Sequence, residues 1–135
     1  KSLLEKKYSV GVCEEIVDLI KERLNTVFDV EKEVYVFVGQ PKNYDADAIE
    51  KITRNTIYDI LNFCKLNEEL ISEPFSLKES LMSFGSENEI SFGNIMKTLR
   101  LCMVGSLSGP DLFKIIEVIG HDETLHRIEC LINKI

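Results

Sequence analysis

The sequence predicts an all-α protein built from two small helical subdomains joined by short loops. Apolar residues recur at three- and four-residue spacings over most of the 135 residues, which is the periodicity of amphipathic helices. Ser, Gly and Pro fall where helices start and stop. No stretch shows the sustained alternation of apolar and polar residues that a half-buried sheet requires.

The first predicted helix runs from Val12 to Leu24 and has one apolar face. The apolar run at 34–38 suits a buried strand or a packed connector equally well. Because no partner strand is evident nearby, we expect a connector or a short helical turn there. The Gly-Gln-Pro sequence at 39–41 then marks the expected boundary between subdomain 1, residues 1–39, and subdomain 2, residues 40–135.

In subdomain 2, apolar periodicity resumes at 45–64 and again at 76–84, where Ser76 and Glu79 have the spacing of a capping box. Ser91 is expected to cap a helix over 92–104.

Glycines end the next two predicted helices. Gly105 follows the helix over 92–104, and Gly120 follows a helix whose first turn contains Pro110. The last helix is expected to start at Asp122 or Glu123.

The charge of the chain excludes two classes of binder. Sixteen Lys and Arg stand against 23 Asp and Glu, a formal net charge of −7. That balance excludes a protein coated in basic charge for nucleic acid and a polybasic membrane anchor, although local basic sites remain possible. No apolar run reaches the roughly 20 residues of a membrane span and no signal peptide is evident, so we expect a cytoplasmic protein without a membrane partner. Because the chain opens on Lys1, we also expect it to be part of something longer.

Cysteine and histidine offer little chemistry. Four widely spaced cysteines without a C-x-x-C pair favour reduced core thiols over a disulfide framework: Cys13, Cys64, Cys102 and Cys130. The two histidines, His121 and His126, are five residues apart, a poor spacing for two ligands on one helical face. A Cys130–His126 pair is geometrically possible, but Cys130 is expected on the core face. We therefore expect no catalytic residue, metal site or cofactor in this chain.

One polar face stands out. Asn94, Lys97 and Arg100 follow at three-residue steps, so they project from one side of their helix. The loop at 106–110 and the apolar step at Pro110 and Leu112 come directly after that helix. A cation, hydroxyls, backbone amides and apolar surface together suit an unstacked nucleotide base. An ordinary Gly-Pro corner with a solvated Arg is the alternative.

The segments at 93–113 and 118–129 resemble the C-terminal end of bacterial-type glutamyl-tRNA synthetases. The match is dense over about the last 45 residues and looser before them. In that family this region is the all-helical anticodon-binding part, a cage of two helical subdomains behind the catalytic domain of a class I synthetase.

The resemblance implies a binding site residue by residue. Arg100 matches an Arg near the first two anticodon bases, and Gly109, Pro110 and Leu112 match positions lining the same pocket. Many members have Thr where Gly109 stands, so a hydroxyl contact is missing here. The auxiliary RNA contacts expected beside them are Asn94, Lys97 and Ser108.

Arg23 matches the reader of the third anticodon base, and an Arg there is associated with synthetases that charge glutamate tRNA only. A guanidinium offers only donors, which suits the acceptor edge of cytosine and rejects guanine. An Arg covering apolar surface at a helix end is the alternative.

The resemblance also implies partners: the anticodon loop of glutamate tRNA and a catalytic domain in the same chain, where ATP and magnesium would activate glutamate. No DNA partner is expected. Two other classes remain open from the residues alone, an acidic helical interaction or adaptor domain and a thiol enzyme using Cys130.

Overall fold

The computed structural model describes residues 9–20, 36–107 and 111–135. Within these ranges the protein is helical and contains no strand, so the predicted all-α class is confirmed. None of the helices there combines the length and apolarity that a bilayer crossing requires. The helices are α1 Val10–Ile20, α2 Ala46–Ile52, α3 Arg54–Leu66, a 3-10 helix Glu68–Ser72, α4 Pro74–Glu87, α5 Phe92–Val104 and α6 Leu112–Lys134.

The core lies where α5 and α6 pack against each other and against α3. The 3-10 helix also packs on α6, and α4 covers α5. The side chains that are at most 1% exposed at this centre are Ile57, Ile60, Leu61, Ile95, Leu99, Leu101, Cys102, Ile115, Ile128 and Leu131. Each helix contributes its apolar stripe, which is why the three- and four-residue spacings predicted the architecture.

The described part of the apolar run at 34–38, residues 36–38, enters the core as a helical turn, as expected. Val36 is 9% exposed and Phe37 is fully buried. The chain then crosses to α2, whose N-cap Asp45 accepts a hydrogen bond from the Ala48 amide at 3.2 Å. We call residues 36–45 the connector.

Three helix boundaries differ from the predictions. The stretch at 45–64 is two helices, because Thr53 has φ +82° and interrupts the α-helical backbone. α4 begins at Pro74, so Ser76 lies inside the helix and the predicted capping box is wrong. Pro at the first helical position has no amide hydrogen to leave unsatisfied, and it sets the start two residues earlier. α6 begins at Leu112 with Asp111 as its N-cap, so Pro110 precedes the first turn.

The break at Gly120 is present, although hydrogen bonding continues on both sides. Gly120 has φ +85° and ψ 174°, and it divides α6 into two helical segments. The second segment resumes directly after this residue, slightly before the predicted start.

Candidate nucleic-acid interface

The outer face of α5 carries the polar residues that the sequence grouped together. Ser91 caps the helix by accepting a hydrogen bond from the Asn94 amide at 3.1 Å. Asn94 and Arg100 are half-buried and Lys97 is exposed. The opposite face enters the core, so the helix presents one side to solvent and anchors the other.

Thr98 lies on the buried side of α5, although its side chain is polar. Its side chain is fully buried, and its hydroxyl donates a hydrogen bond to the Asn94 carbonyl at 2.8 Å. A buried hydroxyl would be costly without a partner, and this bond supplies one within the same helix. The helix runs from its Ser91 cap to the turn at Gly105.

The turn after α5 is held by the connector. Gly105 has φ +87°, and its amide donates to the carbonyls of Arg100 and Leu101 in a left-handed helix cap. Its carbonyl accepts a hydrogen bond from the Asp45 amide at 2.8 Å. A Cβ at this position would lie 2.4 Å from the Asn43 carbonyl oxygen, so only glycine fits.

Arg127 supports this turn from the core side, a role that was not among the predictions from the sequence. The side chain is fully buried, and its Nη1 donates to the carbonyls of Val36 at 2.7 Å and Met103 at 2.9 Å. Its Nε pairs with the Glu123 carboxylate at 2.8 Å. One guanidinium thus joins the connector, the end of α5 and the second segment of α6. The signal available in the sequence was its position on the apolar stripe, one residue before Ile128 and four before Leu131.

The chain beyond Gly105 leads into α6. Ser106 is half-buried and Leu107 is 40% exposed. Three predicted site residues, Ser108, Gly109 and Pro110, lie outside the described residues.

The first turn of α6 is fixed by its N-cap. Asp111 accepts hydrogen bonds from the amides of Phe113 at 3.0 Å and Lys114 at 3.4 Å. Leu112 is 1% exposed and belongs to the core, so its side chain supports the turn and offers no surface to a base. Phe113, its neighbour, is half-buried and reaches the surface.

Basic side chains are present on α4, α5 and α6. Lys97 and Arg100 lie on α5, and Lys114 pairs with Glu117 at 3.3 Å. Lys78 of α4 lies with its ammonium nitrogen 5.9 Å from the centre of the Phe113 ring. Acidic residues lie at the turn as well, because the Asp45 amide bonds to the Gly105 carbonyl and Asp111 caps α6.

His121 directly follows Gly120 at the kink in α6. Its Nδ1–H donates to the Asp122 carboxylate at 3.0 Å, and its Nε2 lies 3.6 Å from the Glu68 carboxylate. The hydrogen bond to Asp122 raises the pKa of His121 above its usual value of 6.5. The two carboxylates therefore favour the protonated, positively charged form of His121.

Two of the four cysteines, Cys64 and Cys102, are buried as expected, whereas Cys13 is only partly buried. All four lie in the described ranges, and no disulfide joins any of them. Burial raises the pKa of Cys64 to about 12 and raises that of Cys102 as well, so both thiols stay protonated and inert. Cys130 is only partly buried, contrary to the core position expected for it, and its Sγ lies 3.5 Å from Nε2 of His126.

Arg23 lies outside the described residues, so its assignment to the third anticodon base stays a prediction. The described ranges contain no group of three or more His, Cys, Asp or Glu side chains that could hold a metal ion. The features that the structure does join are Arg100 and the glycine turn, through the hydrogen bond from the Gly105 amide to the Arg100 carbonyl.

A family model described as an anticodon binding domain matches residues 3–132. The chain belongs to the anticodon-binding-domain family. This membership confirms the resemblance drawn from the sequence, and it does not favour a generic acidic adaptor domain.

Curated relatives extend the match in sequence. A glutamate–tRNA ligase of Christiangramia forsetii is 38% identical over 119 residues, which are 85% of this chain and 23% of the relative. One from Amoebophilus asiaticus is 34% identical over 128 residues, 92% of this chain and 25% of the relative. The anticodon-binding domain therefore spans about a quarter of the length of the curated relatives that it matches.

Solved structures agree with the fold. The glutamate–tRNA synthetase of Elizabethkingia anophelis superposes with a TM-score of 0.79 at 27% identity, over 98% of this chain and 26% of that one. A glutamate–tRNA ligase from Elizabethkingia meningosepticum, in complex with its amino acid, gives a TM-score of 0.71 at 27% identity, over 98% of this chain and 27% of that one.

Proposed function

We propose that this domain binds the anticodon loop of a glutamate tRNA as part of a longer glutamate–tRNA ligase. The observation that carries the proposal is the family match over nearly the whole chain, together with the exposed polar face of α5 that ends in the glycine turn. The two glutamate–tRNA ligases compared above are about four times longer than the chain, so the domain would supply recognition within a larger enzyme.

Arg100 is the proposed reader of the first two anticodon bases. Its guanidinium offers planar donors to base edges, while the backbone of the turn beside it supplies amides and carbonyls at short range. Arg127 and the connector hold that turn by contacts on the core side, so the reading groups start from a fixed backbone. Fixed groups lose less conformational freedom when they bind, which strengthens discrimination between bases.

Catalysis would take place elsewhere in the longer protein. There, ATP and Mg²⁺ would activate glutamate before its transfer to the 3′ end of the tRNA, and the present residues would bind and position the tRNA. We expect the 135-residue chain alone to give no glutamate-dependent ATP–pyrophosphate exchange. Exchange at the rate of a complete synthetase would contradict this division of labour.

The test is a titration of the chain with the anticodon stem-loop of glutamate tRNA, followed by fluorescence anisotropy. Arg100→Ala should weaken binding by roughly 5- to 150-fold, if a bidentate base contact is worth about 1–3 kcal/mol as in base-edge readout. Arg54→Ala, which removes an exposed arginine at the start of α3, is the matched control and should leave the affinity unchanged. Equal affinities for wild type and Arg100→Ala would overturn the proposal.

Arg23 is proposed to select cytosine at the third anticodon position. Because an arginine rejects guanine by facing donors with donors, Arg23→Gln in the full-length enzyme should relax discrimination against glutamine tRNA. Misacylation assays with the two tRNAs measure this directly. Unchanged rejection of glutamine tRNA would show that Arg23 does not read the third base, and it would not affect the role proposed for Arg100.

A further inference from the structure

The outward face of α4 is unusual for the surface of an acidic helical domain. Phe75 is 73% exposed and Met82 is 51% exposed, and the exposed Lys78 lies between them. Spacings of three and four residues place all three side chains on one side of the helix. We call these residues the α4 stripe: Phe75, Lys78 and Met82.

The α4 stripe lies beside the proposed anticodon site. The Lys78 ammonium is 5.9 Å from the centre of the Phe113 ring. Phe113 is the second residue of α6, and its amide is held by the Asp111 cap directly after the loop at 106–110. The stripe therefore adjoins the surface at the start of α6.

The chemistry of the stripe suits a nucleotide better than a protein. Ring and thioether surfaces of Phe75 and Met82 can cover the face of a base, and the ammonium of Lys78 can neutralise a phosphate. The cores of protein–protein interfaces are depleted in charged residues and lysine in particular, whereas here a lysine stands in the middle of the apolar stripe. Lys78 is also the only basic residue of α4, and it is followed by the acidic Glu79.

We propose that the α4 stripe is a second RNA-contact surface, on which Phe75 stacks an unpaired loop nucleotide flanking the anticodon while Lys78 binds an adjacent phosphate. This inference rests on the proposed function, because it extends the same bound loop across the end of the domain. Arg100 would read bases by their edges, and the stripe would hold a neighbouring nucleotide by its face and its backbone.

Two substitutions test the two contacts separately, with the same anticodon stem-loop titrated at several salt concentrations. Lys78→Met should weaken binding and reduce the slope of log affinity against log salt by about 0.7, the value for one single-strand phosphate contact. Phe75→Ala should weaken binding by about fivefold or more, as for the loss of one stacked base, and leave the salt slope unchanged. A merely structural role for either residue would not produce this pair of signatures.

Matched controls lie on α3, away from the stripe. Lys65→Met removes an exposed lysine, and Tyr58→Ala removes an exposed aromatic side chain. Both should leave the affinity and the salt slope unchanged. If Lys65→Met changed the slope as much as Lys78→Met, the effect would be general charge attraction and the α4 stripe would lose its assignment.

The outcome separates this inference from the proposed function. If Arg100→Ala weakens binding but the Lys78 and Phe75 variants bind as wild type does, the anticodon role stands and the stripe is overturned as an RNA surface, leaving a protein partner to cover it. If Arg100→Ala has no effect, the proposed function is overturned, whatever the Lys78 and Phe75 variants do. Thermal unfolding of each variant identifies any loss of folding, and in that case Phe75→Leu, which keeps apolar volume without a ring, replaces Phe75→Ala.

Discussion

The turn at Gly105 and the kink at Gly120 have nearly the same φ, +87° and +85°, yet their surroundings are opposite. At Gly105 an added Cβ would meet the Asn43 carbonyl oxygen at 2.4 Å and Pro41 at 3.0 Å. At Gly120 an added Cβ would find no described atom within 4 Å. One glycine is required by tertiary packing and by backbone conformation, and the other by backbone conformation alone.

The difference shows which of the two glycine positions is held by residues far away in the sequence. The turn at Gly105 is bound by the Asp45 amide, and Arg127 holds the Met103 carbonyl two residues earlier. The kink is lined by surface groups, among them His121 with its carboxylate partners. The side of the molecule proposed to read RNA is therefore held by main-chain contacts between distant residues, whereas the long-range contact at the kink is the partly exposed His121–Glu68 ion pair.

Removing Arg127 should produce the largest effect, because it takes away the group that fixes the Gly105 side. Arg127→Ala leaves the Glu123 carboxylate and two main-chain carbonyls without their donor, and breaking such a buried pair costs about 3–5 kcal/mol. Urea unfolding followed by circular dichroism measures the loss. Lys65→Ala, which removes an exposed ion pair with Glu129, should cost at most about 1 kcal/mol. Similar losses for the two variants would mean that the buried contacts of Arg127 contribute no more to the free energy of unfolding than an exposed ion pair does.

Gly105→Ala should come next. A left-handed residue with a Cβ costs about 1–2 kcal/mol, and overlap with a neighbouring main-chain oxygen adds about 1–3 kcal/mol. Because the connector has to move away, binding of the anticodon stem-loop should weaken together with the stability. A variant that loses stability but keeps full affinity would show that the turn does not position Arg100.

Gly120→Ala should cost less than Gly105→Ala. No neighbour blocks the new methyl group, so the expected loss is the backbone strain alone, about 1–3 kcal/mol. The same urea titration compares the two variants. A larger loss at Gly120 than at Gly105 would reverse the comparison and place the tighter packing at the kink.

The smallest effect is expected from the electrostatics of the kink. Asp122→Asn should lower the pKa of His121 toward 6.5, and Glu68→Gln should lower it less because that carboxylate is farther away. A raised histidine pKa stabilises the folded state fully below pH 6.5, and the contribution is lost as pH rises through the raised value. Titration of the His121 ring protons by NMR gives the pKa. No change in Asp122→Asn would exclude that hydrogen bond as the cause.

Local chemistry predicted much of this fold. Ser91 and Gly105 bound α5 as their residue types indicated, and Gly120 breaks α6 as a glycine there suggested. These features depend on a side chain capping its own helix or on a missing Cβ, so a few neighbouring residues decide them.

Other features depend on residues far away in the sequence. Arg127 is buried because carbonyls 24 and 91 positions earlier meet its guanidinium, and no local pattern encodes that meeting. Thr53 takes φ +82°, a conformation that a β-branched residue rarely adopts, between two helices that the apolar periodicity had joined.

The residues of the candidate site also fall into these two groups, those that local sequence predicts and those that depend on distant residues. The shared face of Asn94, Lys97 and Arg100 follows from helical spacing alone. Leu112 was expected to line a base pocket, but the packing of α6 places its side chain in the core. Its contribution to a base contact would have to come from the backbone.

The 91-residue separation between Val36 and Arg127 also sets an order of events during synthesis. A ribosome adds about 5–20 residues per second, so the Val36 carbonyl is made roughly 5–18 s before its arginine partner. Until the last helix leaves the exit tunnel, the connector lacks its hydrogen bond to Arg127, and closing so long a loop carries an entropic cost. The connector therefore completes its native contacts only after the residues up to Arg127 have been translated.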